Sequence, residues 1–136
     1  MDAEGRAYCW GAGDLGQLGN AVLFSIPAVP VTGGLTFREV HLSPNGFVCG
    51  LTTLEAVYCW GNNFRGYLGT GDCISAAYPR RVLGGIAFRG ITTGGAAACG
   101  TATNERVWCW GYGSSGELGR APNIGSSNGP VEVVIP

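Results

Sequence analysis

The sequence predicts an all-β fold, a partial β-propeller of about two and a half four-stranded blades. Three observations predict it: a C-W-G segment recurs at a fixed interval, short strand-like stretches lie between the copies, and the connections lack helical periodicity. The chain of 136 residues contains 25 glycines and 7 prolines. Because these residues recur with the same interval, they indicate turns and not a low-complexity segment.

The recurring segment appears three times. It reads RAYCWGAGDLGQLG at residues 6–19, AVYCWGNNFRGYLG at 56–69 and RVWCWGYGSSGELG at 106–119, an interval of 50 residues. A second pair, GGLTFREVHL at 33–42 and GGIAFRGITT at 84–93, repeats with an interval of 51. A period of roughly 40 to 50 residues is typical of propeller blades.

Each unit divides into four predicted strands. Residues 36–42, 47–52 and 56–60 alternate or are rich in β-branched and aromatic side chains, and turn residues separate them. A Pro-Val segment before the Gly-Gly turn supplies the fourth strand. We therefore divide the chain into residues 1–27, the last strand of a preceding blade with its connection; 28–78 and 79–129, two blades with their connections; and 130–136, the first strand of a next blade.

Composition excludes two classes of protein. Charged residues make up 12% of the chain, the net charge is −1 and all eight basic residues are arginines. A nucleic-acid-binding protein ordinarily carries a strongly basic stripe, so we expect no nucleic-acid partner. No apolar run approaches the roughly 18 residues of a membrane span, so we expect a soluble protein without one.

Four of the six cysteines form two pairs with one spacing. Cys49 and Cys59 stand ten residues apart, as do Cys99 and Cys109. If a hairpin is centred near Leu54, the first pair faces across the ladder at a Cα distance of about 4.5 to 5.5 Å, within disulfide reach. We expect a disulfide in both pairs, and buried free thiols are the alternative. Two disulfides favour an extracellular or cell-envelope location over a cytoplasmic or nuclear one.

Two cysteines remain without a predicted partner. Cys9 stands where Cys59 stands in the next copy, and the cysteine opposite it would precede Met1. We therefore expect a fragment of a longer protein, or a chain that closes a ring by self-association. Cys73 has no counterpart in the other copies, and the sequence leaves open whether it is free or pairs with Cys9. Zinc is a poor alternative, because the chain has one histidine and no C-x-x-C.

The first copy contains the G-x-G-x-x-G pattern of dinucleotide-binding turns at residues 11–16. Such a turn needs a following helix whose N-terminus faces the phosphates. The sequence that follows, QLGNAVLFSIPAVP, contains a further glycine and two prolines, and the second copy, GNNFRG, lacks the middle glycine. We therefore expect no cofactor.

Catalysis is not expected either. His41 is the only histidine and lies in the predicted strand FREVHL, where an edge or partly buried histidine is the ordinary case. No nucleophile-elbow motif accompanies it. We therefore expect a protein that is not an enzyme.

The repeats resemble a known family. The pattern C-G-L-T, then V-Y-C-W-G-x-N-x-x-G-x-L-G and P-x-x-V-x-G-G-x-x-F, resembles the RCC1-type repeat, named for the regulator of chromosome condensation. The family forms seven-bladed propellers, so the resemblance implies part of such a ring, which needs further blades or self-association to close. It also implies a non-catalytic protein–protein interaction scaffold; the alternative is a regulator or guanine nucleotide exchange factor of a small GTPase. Versions with paired cysteines are similar to those of secreted or envelope-associated bacterial proteins.

Matched and unmatched residues suggest different roles. Trp10, Trp60 and Trp110 occupy matched positions, and we expect them to pack one blade on the next, with a stacking platform for sugars or bases as the alternative.

Residues that do not repeat are better candidates for binding a protein partner, because arginine and aromatic side chains at loop tips suit interfaces. Solvated variable loops are the alternative. The candidates are Phe64, Arg65, Tyr67, Arg80, Arg81 and Tyr112.

Overall fold

The structure is a computed structural model that describes residues 1–120, 122 and 124–135. These residues form strands and turns, and none of them lies in a helix that could cross a membrane. The prediction of an all-β fold is confirmed. The ten strands are β1 (Tyr8–Ala12), β2 (Phe24–Pro30), β3 (Phe37–Leu42), β4 (Phe47–Thr52), β5 (Val57–Gly61), β6 (Ala76–Arg81), β7 (Phe88–Thr93), β8 (Ala97–Ala102), β9 (Val107–Gly111) and β10 (Ser127–Glu132).

The strands form three antiparallel sheets. β3–β6 make one four-stranded sheet and β7–β10 another, each in sequential order, and β1–β2 make a two-stranded sheet. We call the four-stranded sheets the second and third blades, and β1–β2 the first sheet. β1 and β2 correspond to the last two strands of a blade, so the prediction of a partial propeller is confirmed.

Each Pro-Val segment forms the last strand of a sheet and not the first. β6 pairs with β5 and β10 pairs with β9, so each completes the blade whose other three strands precede it. This corrects the predicted division into 28–78, 79–129 and 130–136, because Ser127–Glu132 belongs to the third blade and not to a next one. A tandem repeat has the same period wherever it is cut, so the period cannot determine which strand comes first. An edge strand also suits proline, which has no N–H to donate to a further strand.

The core lies between the sheets, and both faces of the second blade contribute to it. Successive side chains of a strand point to opposite faces, so Val48 and Cys49 face different neighbours. Ala7, Phe37, Val48 and Trp60 pack between the first sheet and the second blade. The apolar cluster between the second and third blades includes Phe47, Cys49, Leu51, Val57, Cys59, Phe88, Ile91, Ala98 and Trp110.

A glycine in each complete blade makes room for an aromatic ring. Gly50 lies on β4 opposite Val40 of β3, and Gly100 lies at the equivalent position on β8. A Cβ on Gly50 would come within 2.5 Å of the Phe37 ring, and one on Gly100 within 2.5 Å of the Phe88 ring. Each C-G dipeptide therefore combines a disulfide cysteine on one face of its strand with space for a ring on the other.

Both predicted disulfides are present. Cys49 bonds to Cys59 and Cys99 to Cys109, each with a Cα–Cα distance of 4.1 Å. In both pairs the cysteines are direct cross-strand partners, as the hairpin register predicts. Cys9 is half-buried and free, and Cys73 is exposed and free, so the two are not paired with each other.

Candidate protein-interaction surface

The loops that follow β1, β5 and β9 leave the same edge of the propeller, because these strands are equivalent members of successive antiparallel sheets. We call the described residues of 13–23, 62–75 and 112–126 the loop rim. Two of its predicted binding residues meet across a blade junction: the Arg65 guanidinium carbon lies 4.3 Å from the centroid of the Tyr112 ring. This is the geometry of a cation–π contact. The fold thus brings together side chains that stand 47 positions apart in the sequence.

A buried amide holds the shape of the middle rim loop. Asn63 is fully buried, and its Nδ2 donates to the carbonyls of Asp72 and Ile74, each at 3.1 Å. Its Oδ1 accepts the amide of Leu68 at 3.0 Å. One side chain therefore joins the beginning, the middle and the end of residues 62–75. Because a buried polar network of this kind has few alternative arrangements, it rigidifies the loop.

A carboxylate at the end of this loop anchors the next strand. Asp72 Oδ2 accepts from Arg80 Nη2 at 2.8 Å, and its Oδ1 accepts from Arg80 Nη1 and from the amide of Ile74. The Arg80 guanidinium, with the Ile74 amide as the second cause, lowers the pKa of Asp72 to about 2. The carboxylate therefore stays charged at neutral pH, and Arg80 is occupied within the chain.

Exposed apolar side chains stand on this fixed loop. Phe64 is 70% exposed although its backbone amide is held by Asn62 Oδ1 at 3.0 Å. Ile74 is also exposed on the same loop, and Leu23 is exposed on the rim loop after β1. That loop lies beside the second blade, because the amide of Ala21 donates to the carbonyl of Ala77 at 3.3 Å. The loop rim therefore presents apolar groups together with the Arg65–Tyr112 pair.

Three of the predicted interaction residues do not offer a free, exposed side chain on the loop rim. Tyr67 is only 7% exposed and stacks on Phe47, with ring centroids 5.1 Å apart, so it is a core residue. Sequence reasoning placed it in a variable loop because the other copies have Gln17 and Glu117 there, which are polar. Arg80 pairs with Asp72, and Arg81 lies exposed on the outer strand β6.

Two of the three matched tryptophans lie between sheets and the third does not. Trp60 and Trp110 are fully buried, whereas Trp10 is 67% exposed. Trp60 faces the first sheet and lies close to Gly19. Trp10 is on the corresponding face of the first sheet, which no described residue covers. Packing of Trp10 between blades needs a sheet on this side, and it therefore stays a prediction.

The inner strands hold the only histidine. His41 Nε2 lies 3.5 Å from Glu39 Oε2, and Glu39 Oε1 accepts the amide of Ile91 on β7 at 2.9 Å. The carboxylate thus joins the second and third blades at their inner edge. Among residues 1–120, 122 and 124–135, no three potential ligand side chains are grouped as a metal site would need. The part of the chain after Gly11–Gly16 continues as turns and not as a helix.

Sequence reasoning missed Asn63 and Asp72. Both escaped notice because they do not recur: Gly13 and Gly113 stand in the place of Asn63, and the connection that contains Asp72 differs among the copies. The available signal was the exchange of glycine for a hydrogen-bonding side chain in one copy only. Such an exchange marks the copy whose loop has gained its own polar network.

Comparison with known proteins gives three kinds of match. The sequence profile of the regulator of chromosome condensation (RCC1) repeat matches residues 55–101. The human RCC1-like G exchanging factor-like protein is 32% identical over 90 residues, which are 60% of this chain and 19% of that protein. The human probable E3 ubiquitin-protein ligase HERC6 is 34% identical over 102 residues, 68% of this chain and 10% of that protein. The chain thus spans a fifth or less of these relatives.

Solved structures show the same architecture. Human WBSCR16 superposes with a TM-score of 0.86 at 23% identity, over 98% of this chain and 34% of that chain. Yeast RCC1 (Prp20), solved bound to Kap60, superposes with a TM-score of 0.84 at 15% identity, over 99% of this chain and 34% of that chain. At these identities the likeness concerns the fold, and it agrees with a partial propeller.

Proposed function

Since the chain is built from RCC1-type propeller repeats, we propose that it is a non-catalytic interaction module that binds a protein partner through the loop rim. One observation carries the proposal: Phe64 stands exposed on a loop that the Asn63 and Asp72 hydrogen bonds hold in one shape. An aromatic side chain on a rigid support binds at a low cost in conformational entropy. The Arg65–Tyr112 pair beside it adds two of the three residue types that are enriched where binding energy is concentrated at interfaces.

The test compares two rims of the same molecule. The full chain, immobilised, is incubated with culture fluid and with cell extract, and bound proteins are identified by mass spectrometry. We expect a partner that binds the native chain and is lost from the double variant Phe64→Ala, Arg65→Ala. The matched control is Leu54→Ala, because Leu54 is 88% exposed in the turn between β4 and β5, on the opposite rim. Equal loss of binding in both variants would contradict a role for the loop rim.

The second candidate function is regulation of a small GTPase, including guanine nucleotide exchange. Its support is that one relative is named an RCC1-like G exchanging factor-like protein. Its test is the release of a fluorescent guanine nucleotide from small GTPases in the presence of the chain. Acceleration that needs the native loop rim would favour this function, and binding of a partner without acceleration would favour the non-catalytic module.

We further propose an extracellular or cell-envelope location for the chain. The support is the pair of cross-strand disulfides, because disulfides persist in oxidising compartments and are rare in the cytosol and nucleus. Rapid acid quenching and alkylation of whole cells and of culture fluid would locate the oxidised form. Recovery of the chain from the cytosol with all six cysteines alkylated would contradict this location.

A further inference from the structure

Phe64 and Arg65 occupy the two central positions of a β-turn in the middle rim loop. The amide of Gly66 donates to the carbonyl of Asn63 at 3.1 Å, and this bond closes the turn around them. Both central side chains are exposed, whereas residues 61–63 and 66–70 on either side of them are buried. The turn therefore presents an aromatic ring and a guanidinium side by side on a buried support.

This turn is fixed to the third blade as well as to its own. A Cβ on Gly66 would lie 2.6 Å from the Cα of Asn128, so the turn packs directly against β10. The amide of Gly71 donates to the carbonyl of Asn128 at 2.8 Å and secures the same loop at a second point. The junction between the two four-stranded blades thus defines where Phe64 and Arg65 stand.

The Arg65 guanidinium has an aromatic support but no anionic partner. It lies over the ring of Tyr112, which itself packs against the core between the second and third blades. Stacking covers one face of a guanidinium and leaves the N–H groups in its plane available to acceptors. No carboxylate among the described residues forms an ion pair with Arg65, although five other arginines each have one: Arg6, Arg38, Arg80, Arg89 and Arg106.

The acidic side chains of the two rim loops at this junction are engaged elsewhere. Asp72 is bonded to Arg80 through both of its carboxylate oxygens. Glu117 Oε2 accepts the backbone amide of Ser115 at 2.8 Å. The positive charge of Arg65 is therefore not neutralised by either loop, and it stands next to an exposed aromatic ring.

We propose that Arg65 and Phe64 form a binding site for an acidic peptide segment of the protein partner. One aspartate or glutamate carboxylate of that segment accepts two N–H bonds from Arg65, and a neighbouring apolar side chain packs on Phe64. This inference rests on the proposed binding function of the loop rim and adds the chemistry of the partner. The planar guanidinium matches a carboxylate with two parallel bonds. Because the stack on Tyr112 already limits the motion of Arg65, binding costs little conformational entropy.

A single free cation favours a carboxylate over a phosphate. A phosphorylated side chain carries between about 1.5 and 2 negative charges at neutral pH. Such groups are ordinarily bound by clusters of arginines. Arg80, on the adjoining strand β6, is already bonded to Asp72 and contributes no free charge. The one unpaired guanidinium of this turn therefore corresponds to one carboxylate.

The first experiment selects peptides with the full chain as bait. A displayed library of random short peptides is enriched on the native chain and counter-selected on the double variant Phe64→Ser, Arg65→Ser. This variant carries the Ser-Ser pair of the equivalent turn in the third blade, so the turn keeps a sequence that already forms it in this fold. We expect an acidic residue next to an apolar one at least about threefold more often in the selected peptides than in the starting library.

The outcome of this selection separates the two proposals. Peptides that need the native turn but show no enrichment of acidic residues would overturn the acidic-peptide site and leave the proposed binding function standing. Selection of no peptide that depends on the turn would count against both.

The second experiment measures dissociation constants for one selected peptide. Arg65→Glu should raise the Kd at least about tenfold, and exchange of the acidic residue of the peptide for lysine should restore much of the affinity. Arg65→Lys keeps the charge but lacks the planar pair of donors, so it should raise the Kd by about threefold to tenfold. The matched control is Arg81→Glu, which reverses an exposed charge on β6 outside the turn. Equal losses of affinity from Arg65→Glu and Arg81→Glu would overturn the proposal.

Tyr112 acts in this site as a positioning residue, and its ring is tested apart from its hydroxyl. Tyr112→Phe keeps the ring under Arg65, so the Kd of the same peptide should stay within about twofold of the native value. Tyr112→Leu removes the stack and should raise the Kd by about threefold or more. Equal effects of the two substitutions would contradict a role for the stack. A peptide with phosphoserine in place of its acidic residue that bound more than about tenfold more tightly would overturn the assignment to a carboxylate.

Discussion

The indole nitrogen of Trp60 donates a hydrogen bond to the backbone carbonyl of Gln17 at 3.1 Å, and this bond joins the second blade to the loop after β1. Trp110 occupies the equivalent position in the third blade. Its Nε1 is buried and has no hydrogen-bond partner among the described residues. The two matched tryptophans are therefore both buried, but of the two only Trp60 has a hydrogen-bond acceptor for its indole N–H among the described residues.

We expect Trp60→Phe to destabilise the chain more than Trp110→Phe. Both substitutions remove the same volume, but the first also leaves the Gln17 carbonyl without its donor. An unsatisfied buried group costs about 1 to 3 kcal/mol, so the free energies of unfolding should differ by an amount of this order. Urea unfolding of the two variants measures the difference. A greater loss from Trp110→Phe would show that the hydrogen bond between the sheets does not contribute as inferred.

We expect the intact mass of the chain with reductant to exceed the mass without reductant by about 4 Da, corresponding to two disulfides.

The double substitution Cys99→Ala, Cys109→Ala should lower the free energy of unfolding by about 2 to 3 kcal/mol, because it releases a short closed loop. The matched change at Cys49 and Cys59 should cost more, since those side chains are wholly buried between the second and third blades. Thermal unfolding of both double variants checks the order, and the reverse order would contradict it.

We expect the Asp72–Arg80 pair to stabilise the chain above about pH 4 and to lose its effect as the pH falls toward 2. The pKa of Asp72 is lowered from 3.8 to about 2 in the folded chain, so the unfolded chain binds the proton first as the solution is acidified. The difference in urea midpoint between the native chain and Asp72→Asn should shrink over this range. Other carboxylates cancel in the comparison. A difference that stays constant down to pH 2 would exclude the ion pair as its cause.

We expect Cys73 to react with iodoacetamide before Cys9 at neutral pH. Cys73 is exposed, whereas Cys9 is half-buried, and burial raises the pKa of the Cys9 thiol. Because the thiolate is the reactive form, labelling of Cys9 should need a higher pH. Peptide mapping after timed labelling at a series of pH values measures both rates. Faster labelling of Cys9 than of Cys73 would contradict this expected order.

The strands, the turns and the two disulfides were predictable because they depend on residues close together in the sequence. A cysteine pair ten residues apart, centred on a tight turn, has only one cross-strand arrangement. The phase of the repeat was not predictable, since a Pro-Val strand reads the same whether it opens one sheet or closes another. The roles of Asn63 and Asp72 were equally hidden, because their partners come from three parts of a loop without periodicity.

The sequence by itself thus determined where the strands lie and how the two cysteine-bearing hairpins pair. Only the tertiary structure decided which faces are covered. Tyr67 lies in the core because its ring stacks on that of Phe47, and Arg65 contacts the Tyr112 ring across a blade junction. Trp10 remained exposed although its sequence surroundings match those of Trp60. The physical reason is that pairing within a hairpin depends on local register, whereas burial depends on the neighbouring sheet, which no single repeat contains.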